Sequence, residues 1–306
     1  MENKIIKNMN NIIETRKKVY ENFPKENLSN SLSNMVLFYN IEDNDYNKLI
    51  EATKTYLFKS LSLVYNREFT WTDTFLEDNN ELIMNLPNKT PNGVLSPKIE
   101  LIKEYNDIQK CLNKIFENLK IHPCIKKQIY PNIRYKSIIL ESPETQSRPY
   151  YTGKNHSDAW VGHVGDAMCL IGVLGDVNNN TVEFNEPTNV HDNYLDIAES
   201  FDEGNTRYKD LIFLGTLSKQ QLCVMDHACV HKTLIKQNSK PRISIDVAIM
   251  VDNEHSHEHN KLGKNIHLYS SSEDVQKIGE KFEYAVKESI FDNAKETNIK
   301  LKEISL

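Results

Sequence analysis

The sequence predicts a mainly β protein with flanking helices, its strands closing into a sandwich or barrel. Three observations carry this. From about residue 131 at least six short β-rich runs follow one another with no helical pattern between them. Clusters of turn residues such as "GDVNNN" separate the runs. Before and after this region, apolar residues recur at helical spacing instead.

The N-terminal elements come first. Met9, Ile12, Ile13, Tyr20 and Phe23 keep helical spacing, and Phe23–Pro24 stops that helix. The charged run Arg16–Lys18 within it reads as a solvated helix face. Leu49, Ile50, Leu57, Leu61 and Val64 predict a second helix over 45–65. A third opens with Ser96 as N-cap and Pro97 at the first helical position, and carries Leu101, Tyr105, Ile108, Leu112, Ile115 and Leu119. The β runs are 133–140, 167–174, 181–184, 211–217, 221–234 and 242–251. The long polar stretch 185–210 reads as a lid or insert. Val275, Ile278, Phe282, Val286 and Ile290 predict a C-terminal helix over 272–298, capped by Ser272. The whole reads as one domain of 306 residues, with a helical flank at 1–120, a β core at 130–250 and the terminal helix.

Composition excludes several function classes. A net charge of −6 with no basic stripe gives phosphates nothing to bind, so a nucleic-acid partner is not expected. No apolar run reaches the roughly 18 residues of a membrane helix, and the first residues lack the apolar stretch of a signal peptide. The five cysteines form no C-x-x-C pair and read as buried small hydrophobes. The expectation is a cytoplasmic protein acting on a small molecule, of unspecified oligomeric state.

Chemistry gathers at two places. "HSDAW" sets His156 and Asp158 two apart, so that on extended backbone both side chains point to one side. Alone, the pair reads equally as a hydrogen-bonded loop. Downstream, "DHACVHKTL" holds His227 and His231, and "RISIDV" follows with Arg242 and Ser244 on one strand face. Two imidazoles and one carboxylate are the donor set of a ferrous site with open positions. A planar, permanently charged arginine suits a carboxylate held by two parallel hydrogen bonds. His231 is favoured over His227 because it lies eleven positions before Arg242 and is followed by Thr233. His163 is expected beyond the ligand set. The "HSHEH" stretch (His255, His257, His259) lies past the last core strand and reads as a solvated loop.

The ordered set His156-x-Asp158, His231, Arg242-x-Ser244 resembles non-haem Fe(II)/2-oxoglutarate-dependent dioxygenases over roughly residues 130–250. It is most like the bacterial natural-product branch related to phytanoyl-CoA hydroxylases and the streptomycin-cluster oxygenase. The resemblance implies a double-stranded β-helix (jelly-roll, cupin-like) core. It also implies His156, Asp158 and His231 on Fe(II), Arg242 and Ser244 on the 2-oxoglutarate cosubstrate, and O2 as oxidant. The implied reaction is hydroxylation or desaturation of an unactivated C–H bond in a small polar metabolite, releasing succinate and CO2. Asp158 argues against halogenation, because the related halogenases carry a small residue there. Arg134, Trp160 and Glu186 are candidate substrate contacts. For Arg134 a cross-strand ion pair stands as the alternative, for Trp160 a place in the core, and for Glu186 a cap on the lid. Two other functions compete: a zinc hydrolase or cupin-type isomerase, which leaves Arg242 and Ser244 without a role, and a non-catalytic jelly-roll binding protein.

Overall fold

The structure, a computed structural model, describes residues 11–137, 146–163, 165–256, 268–278, 282–294 and 302–305. Two antiparallel sheets face each other as a jelly roll. The larger contains β1 (Leu28–Ser33), β2 (Val36–Asn40), β3 (Ile125–Gln128), β4 (Asn132–Lys136), β5 (Ala167–Gly175), β8 (Gln221–Asp226), β10 (Arg242–Val251) and β11 (Ser270–Ser271). Its order is β1-β2-β8-β5-β10-β3-β11, with β4 also pairing β10. The smaller runs β7-β6-β9, with β6 at Asn180–Thr188, β7 at Asp210–Thr216 and β9 at Val230–Ile235. From β5 to β10 the chain crosses repeatedly between the sheets, which places β8, β9 and β10 around one interior.

Alternation on β10 shows how the layers form. Ile243, Ile245, Val247 and Ile249 face outward into the core beneath the helices. Arg242, Ser244 and Asp246 face inward, to a cavity between the sheets. A period of two separates these sets, as strand geometry requires. The outer face is covered by α2 (Asp43–Tyr65) and α3 (Ile102–Asn118). Leu49, Tyr56, Leu57 and Leu61 of α2 and Tyr105, Ile108, Leu112 and Ile115 of α3 are buried there. Tyr46 fixes α2 to the sheet by donating from its hydroxyl to the Gly172 carbonyl of β5 at 2.8 Å. Burying each large side chain contributes about 1.5–3 kcal/mol, so these stripes hold the helices down.

The short helix α1 (Asn11–Lys18) is held differently. Arg16 is 2% exposed, where a solvated face was expected. It reaches Asp166 at 3.2 Å and Asp226 at 2.8 Å, and the Tyr20 hydroxyl adds a 2.7 Å bond to Asp226. Burial opposes the guanidinium charge, but Asp226, Tyr20 and Asp166 outweigh it and hold Arg16 protonated. Helical periodicity identifies the apolar stripe but is silent about a charged residue pointing the same way.

Three further expectations are corrected. The N-terminal flank is not purely helical: β1 and β2 lie within it, and β2 pairs with β8. The third helix starts late. Ser96 is tied to Asn88 through two backbone groups, N–H to Asn88 O at 2.8 Å and O from Asn88 Nδ2 at 2.9 Å, and its buried hydroxyl caps no N–H among the described residues. A 3-10 turn at Ile99–Leu101 precedes α3 instead. The C-terminal helix is a single turn, Ser272–Val275, followed by β12 (Phe282–Ala285) paired with β13 (Lys302–Ser305). Val275, Ile278 and Ile290 are still buried and Val286 is half-buried, so most of these apolar positions are used without the helix. Gly279 in mid-run weakens a helix by about 1 kcal/mol, and strand pairing prevails. Among the described residues no helix is long and apolar enough to cross a membrane. Cys169, Cys223 and Cys229 are buried, and Cys111 and Cys124 are partly so.

Candidate metal centre

The histidines at 156 and 231 meet because their backbones pair. His156 N–H donates to His231 O at 2.9 Å, and His231 N–H returns to His156 O at 2.8 Å. This isolated antiparallel bridge continues the smaller sheet beyond β9. It brings the rings to 4.1 Å between centroids. Asp158 opens a 3-10 turn, Asp158–Val161. Ser157 caps that turn, accepting from Ala159 N–H at 3.3 Å, while its own hydroxyl donates to His227 O at 2.6 Å. Gly162 ends the turn at φ 79°, left-handed backbone that glycine adopts without a side-chain penalty.

One ligand atom from each of His156, Asp158 and His231 lies within 4.8 Å of the others. The His231 Nε2 to Asp158 Oδ1 distance is 3.8 Å. Such spacing suits a shared cation. His156 Nδ1 lies 2.8 Å from Lys154 O. A carbonyl only accepts, so Nδ1 carries the proton and Nε2 keeps its lone pair for a metal. Burial, with His231 as the next cause, pushes the His156 imidazole down to about 3, so it is neutral at ordinary pH. Burial works against ionisation of Asp158, but the imidazoles of His231, His163, His227 and His156 outweigh it and hold its carboxyl well below the usual range. A neutral His156 imidazole and an ionised Asp158 carboxylate are in the protonation states that coordinate a divalent ion.

His227 stands apart. Its Nδ1 is 2.8 Å from Gly165 O, and its carbonyl accepts from Ser157 and from Ala159. It supports the loop that bears Asp158 rather than joining the three. His163 lines the cavity with its ring 5.2 Å from His227, outside the ligand group. His255 lies beside Glu254 at 3.6 Å, and His257 and His259 fall outside the described residues.

The three residues open onto a cavity of about 600 Å³. Arg242 forms part of its wall and is 2% exposed. Its Nε donates to Asn180 Oδ1 at 3.2 Å, while Nη1 is buried with no hydrogen-bond partner among the described residues. Burial and then the like charge of Arg134 push Arg242 down to about 10, with Asp246 opposing, so it remains a cation at neutral pH. Ser244 lies two residues on, on the same wall. Arg134, opposite Ser244 on β4, gives the cross-strand reading: its Nε contacts Asp246 Oδ2 at 2.6 Å, within reach of the cavity.

Trp160 and Glu186 do not line the cavity. Trp160 is fully buried and donates from Nε1 to Tyr194 O at 2.7 Å, the core role. The Glu186 carboxylate is taken by Lys17 of α1 at 2.6 Å. The 185–210 stretch divides: its first residues extend β6, and the remainder brings Ile197 and Phe201 to the cavity. Phe201 stacks on the His156 ring at 4.3 Å and carried no sequence signal. Asp246 could have been found, since it lies four residues after Arg242 on a period-two strand.

No protein-family model and no curated protein matches this sequence. Solved structures do. The chain is similar to solved non-heme enzymes. The epimerase SnoN from nogalamycin biosynthesis, in complex with Fe3+, alpha ketoglutarate and nogalamycin RO, is 10% identical at TM-score 0.38, covering 79% of this chain and 84% of that one. The alpha-ketoglutarate-dependent carbocyclase SnoK is 10% identical at TM-score 0.35, covering 85% and 91%. The non-heme monooxygenase ThoJ is 15% identical at TM-score 0.35, covering 76% and 77%. Overlaps this loose leave the reaction to the chemistry of the site.

Proposed function

We propose that this protein is an Fe(II)- and 2-oxoglutarate-dependent oxygenase acting on an unactivated C–H bond. One juxtaposition carries the reading. A two-histidine, one-carboxylate set shares a cavity with a buried arginine whose Nη1 has no hydrogen-bond partner among the described residues. Buried polar groups are paired in native proteins, so the guanidinium calls for an anionic ligand. A metal site alone would fit a zinc hydrolase, which gives the arginine no task.

His156 would offer a neutral nitrogen, His231 a second imidazole and Asp158 a negative oxygen to a ferrous ion. Bound iron, with 2-oxoglutarate and O2, supplies the oxidising power: substrate C–H becomes C–OH while the oxo acid leaves as succinate and CO2. Arg242 grips the distal carboxylate of the oxo acid, and the Ser244 hydroxyl adds a bond from the same strand face. Lys154 O fixes the His156 tautomer and Phe201 its ring plane. Met168, Leu170, Val182 and Met225 present apolar surface that keeps water from the reacting centre. Desaturation or ring closure would use the same residues.

The test is succinate release from 2-oxoglutarate in the presence of Fe(II) and O2, with Arg242→Ala alongside. The reading predicts oxygen-dependent succinate in wild type and at least a hundredfold less from the variant at limiting cosubstrate. Protein that binds metal but yields no succinate at any cosubstrate concentration would overturn it.

A further inference from the structure

A second feature of the cavity is its mouth. Tyr150, Val161 and Ile197 all line it, yet they are 44%, 38% and 60% exposed. Three loops supply them, and backbone bonds join the loops into one rim. Ala198 N–H donates to Trp160 O at 3.0 Å, Phe201 N–H to Pro149 O at 2.9 Å, and the Tyr150 hydroxyl to Ala198 O at 2.9 Å. Arg207, 6% exposed, fastens the last loop from within, donating to Asn193 O at 3.1 Å and Ile197 O at 3.2 Å. Ile197 packs over Gly162, where an added Cβ would lie 3.3 Å from its Cδ1. The collar is continuous with the metal centre through aromatic contacts: Tyr150 meets Phe201 edge-on at 5.4 Å, and Phe201 stacks on His156.

Scattered apolar side chains on a surface need no explanation, but a set of them rimming a cavity marks a ligand site. The opposite wall tells what else the ligand carries. Asn92 and Asn132 offer amides, and the Arg134 charge is already matched by Asp246. Lys136, on the same strand face, donates to Thr152 Oγ1 at 3.1 Å, and the Asn92 and Asn132 amides can hydrogen-bond a neutral group. At about 600 Å³ the cavity is in the size range that holds drug-sized ligands, and larger than a small diacid fills.

Building on the oxygenase reading, we propose that the substrate is an amphipathic molecule with a hydrocarbon-rich body, seated on the collar of Tyr150, Val161 and Ile197, and with neutral hydrogen-bonding groups toward Asn92 and Asn132. It differs from the small polar metabolite that the sequence suggested.

The test uses the full chain and an uncharged apolar fluorophore, N-phenylnaphthylamine, followed by fluorescence titration. Ile197→Asp and Val161→Asp should each weaken binding at least tenfold, while Ile197→Leu keeps wild-type affinity. Phe213→Asp, a control at an exposed residue of β7 outside the cavity, should also keep it. Melting curves verify that each variant is folded. In a second arm, compounds with apolar bodies should raise succinate formation above the level seen with free amino acids or sugars. Equal fluorophore affinity in wild type and Ile197→Asp would overturn the proposal, as would loss through Phe213→Asp alone or stimulation by polar metabolites only. The two readings fail separately. Fluorophore binding that depends on Ile197, in a protein that does not bind 2-oxoglutarate, removes the oxygenase and keeps an apolar ligand site. Cosubstrate binding with a fluorophore affinity indifferent to Ile197 removes the collar.

Discussion

Arg242→Met separates what the arginine does for the fold from what it does for a ligand. A free guanidinium titrates near 12.5, and Arg242 is pushed down to about 10, by burial first and Arg134 second. The displacement corresponds to about 3 kcal/mol held against the charged form in the folded state. The sign is fixed: the folded value lies below the unfolded one, so at pH 7, where the group is charged in both states, the charge costs stability. Methionine removes that cost and fills most of the stem's volume. It also strands Asn180 Oδ1, which accepts from Arg242 Nε, at a cost of about 1–3 kcal/mol. The metal-free variant should therefore be as stable as wild type or up to about 2 kcal/mol more so. Cosubstrate affinity should go the other way. A buried carboxylate that loses its charged partner forfeits about 3–5 kcal/mol, a weakening of two to three orders of magnitude or more. Urea unfolding of the metal-free protein measures the first quantity, and anaerobic calorimetry with 2-oxoglutarate and Fe(II) the second. An Arg242→Met protein destabilised by several kcal/mol with cosubstrate affinity intact would show that the arginine is a structural cation, and the reasoning would fail.

Other expectations follow from the same geometry. His156→Ala, Asp158→Ala and His231→Ala should each abolish tight Fe(II) binding in equilibrium dialysis, whereas His227→Ala and His163→Ala retain most of it; the opposite pattern for His227 and His231 would reassign the third ligand. Burial, then His231 for the first and His163 for the second, holds His156 down to about 3 and His227 down to about 4, below the ordinary 6.5. The unfolded chain then binds more protons across that window, so the metal-free protein should lose stability as pH falls below 6.5, by up to about 1.4 kcal/mol per pH unit for each histidine. Urea midpoints flat from pH 6.5 to 4 would contradict this, and His227→Gln should lessen the slope. Arg16→Met leaves Asp166 and Asp226 buried without their cation and should cost about 3–5 kcal/mol in urea unfolding, while adding Asp166→Asn and Asp226→Asn recovers much of it.

Legibility followed periodicity. β10 could be read to the residue over its first half, because inward polar and outward apolar positions alternate without interruption from Arg242 to Val247. The candidate metal residues stood out through order and spacing, and the structure brings His156, Asp158 and His231 together. What escaped was whatever depends on the partner. Arg16 carries the same charge as its neighbours Lys17 and Lys18, and only two distant aspartates explain its burial. Trp160 fits a pocket wall or a core equally well until Tyr194 O is found beside its indole nitrogen. The terminal run has helical apolar spacing, yet those residues are buried around one turn and a strand pair, so amphipathic spacing alone did not determine the element. Phe201 and the collar come from loops and single helical turns, too short for spacing to carry information about place.

The central claim is that one cavity holds both a metal and a 2-oxo acid. Anaerobic titration of the Fe(II)-loaded protein with 2-oxoglutarate tests it most directly. The account predicts a weak visible charge-transfer band of the chelated ferrous complex that saturates with cosubstrate, is absent in Asp158→Ala, and needs far more cosubstrate in Arg242→Met. Fe(II) bound at this site with no band at any cosubstrate concentration would contradict it.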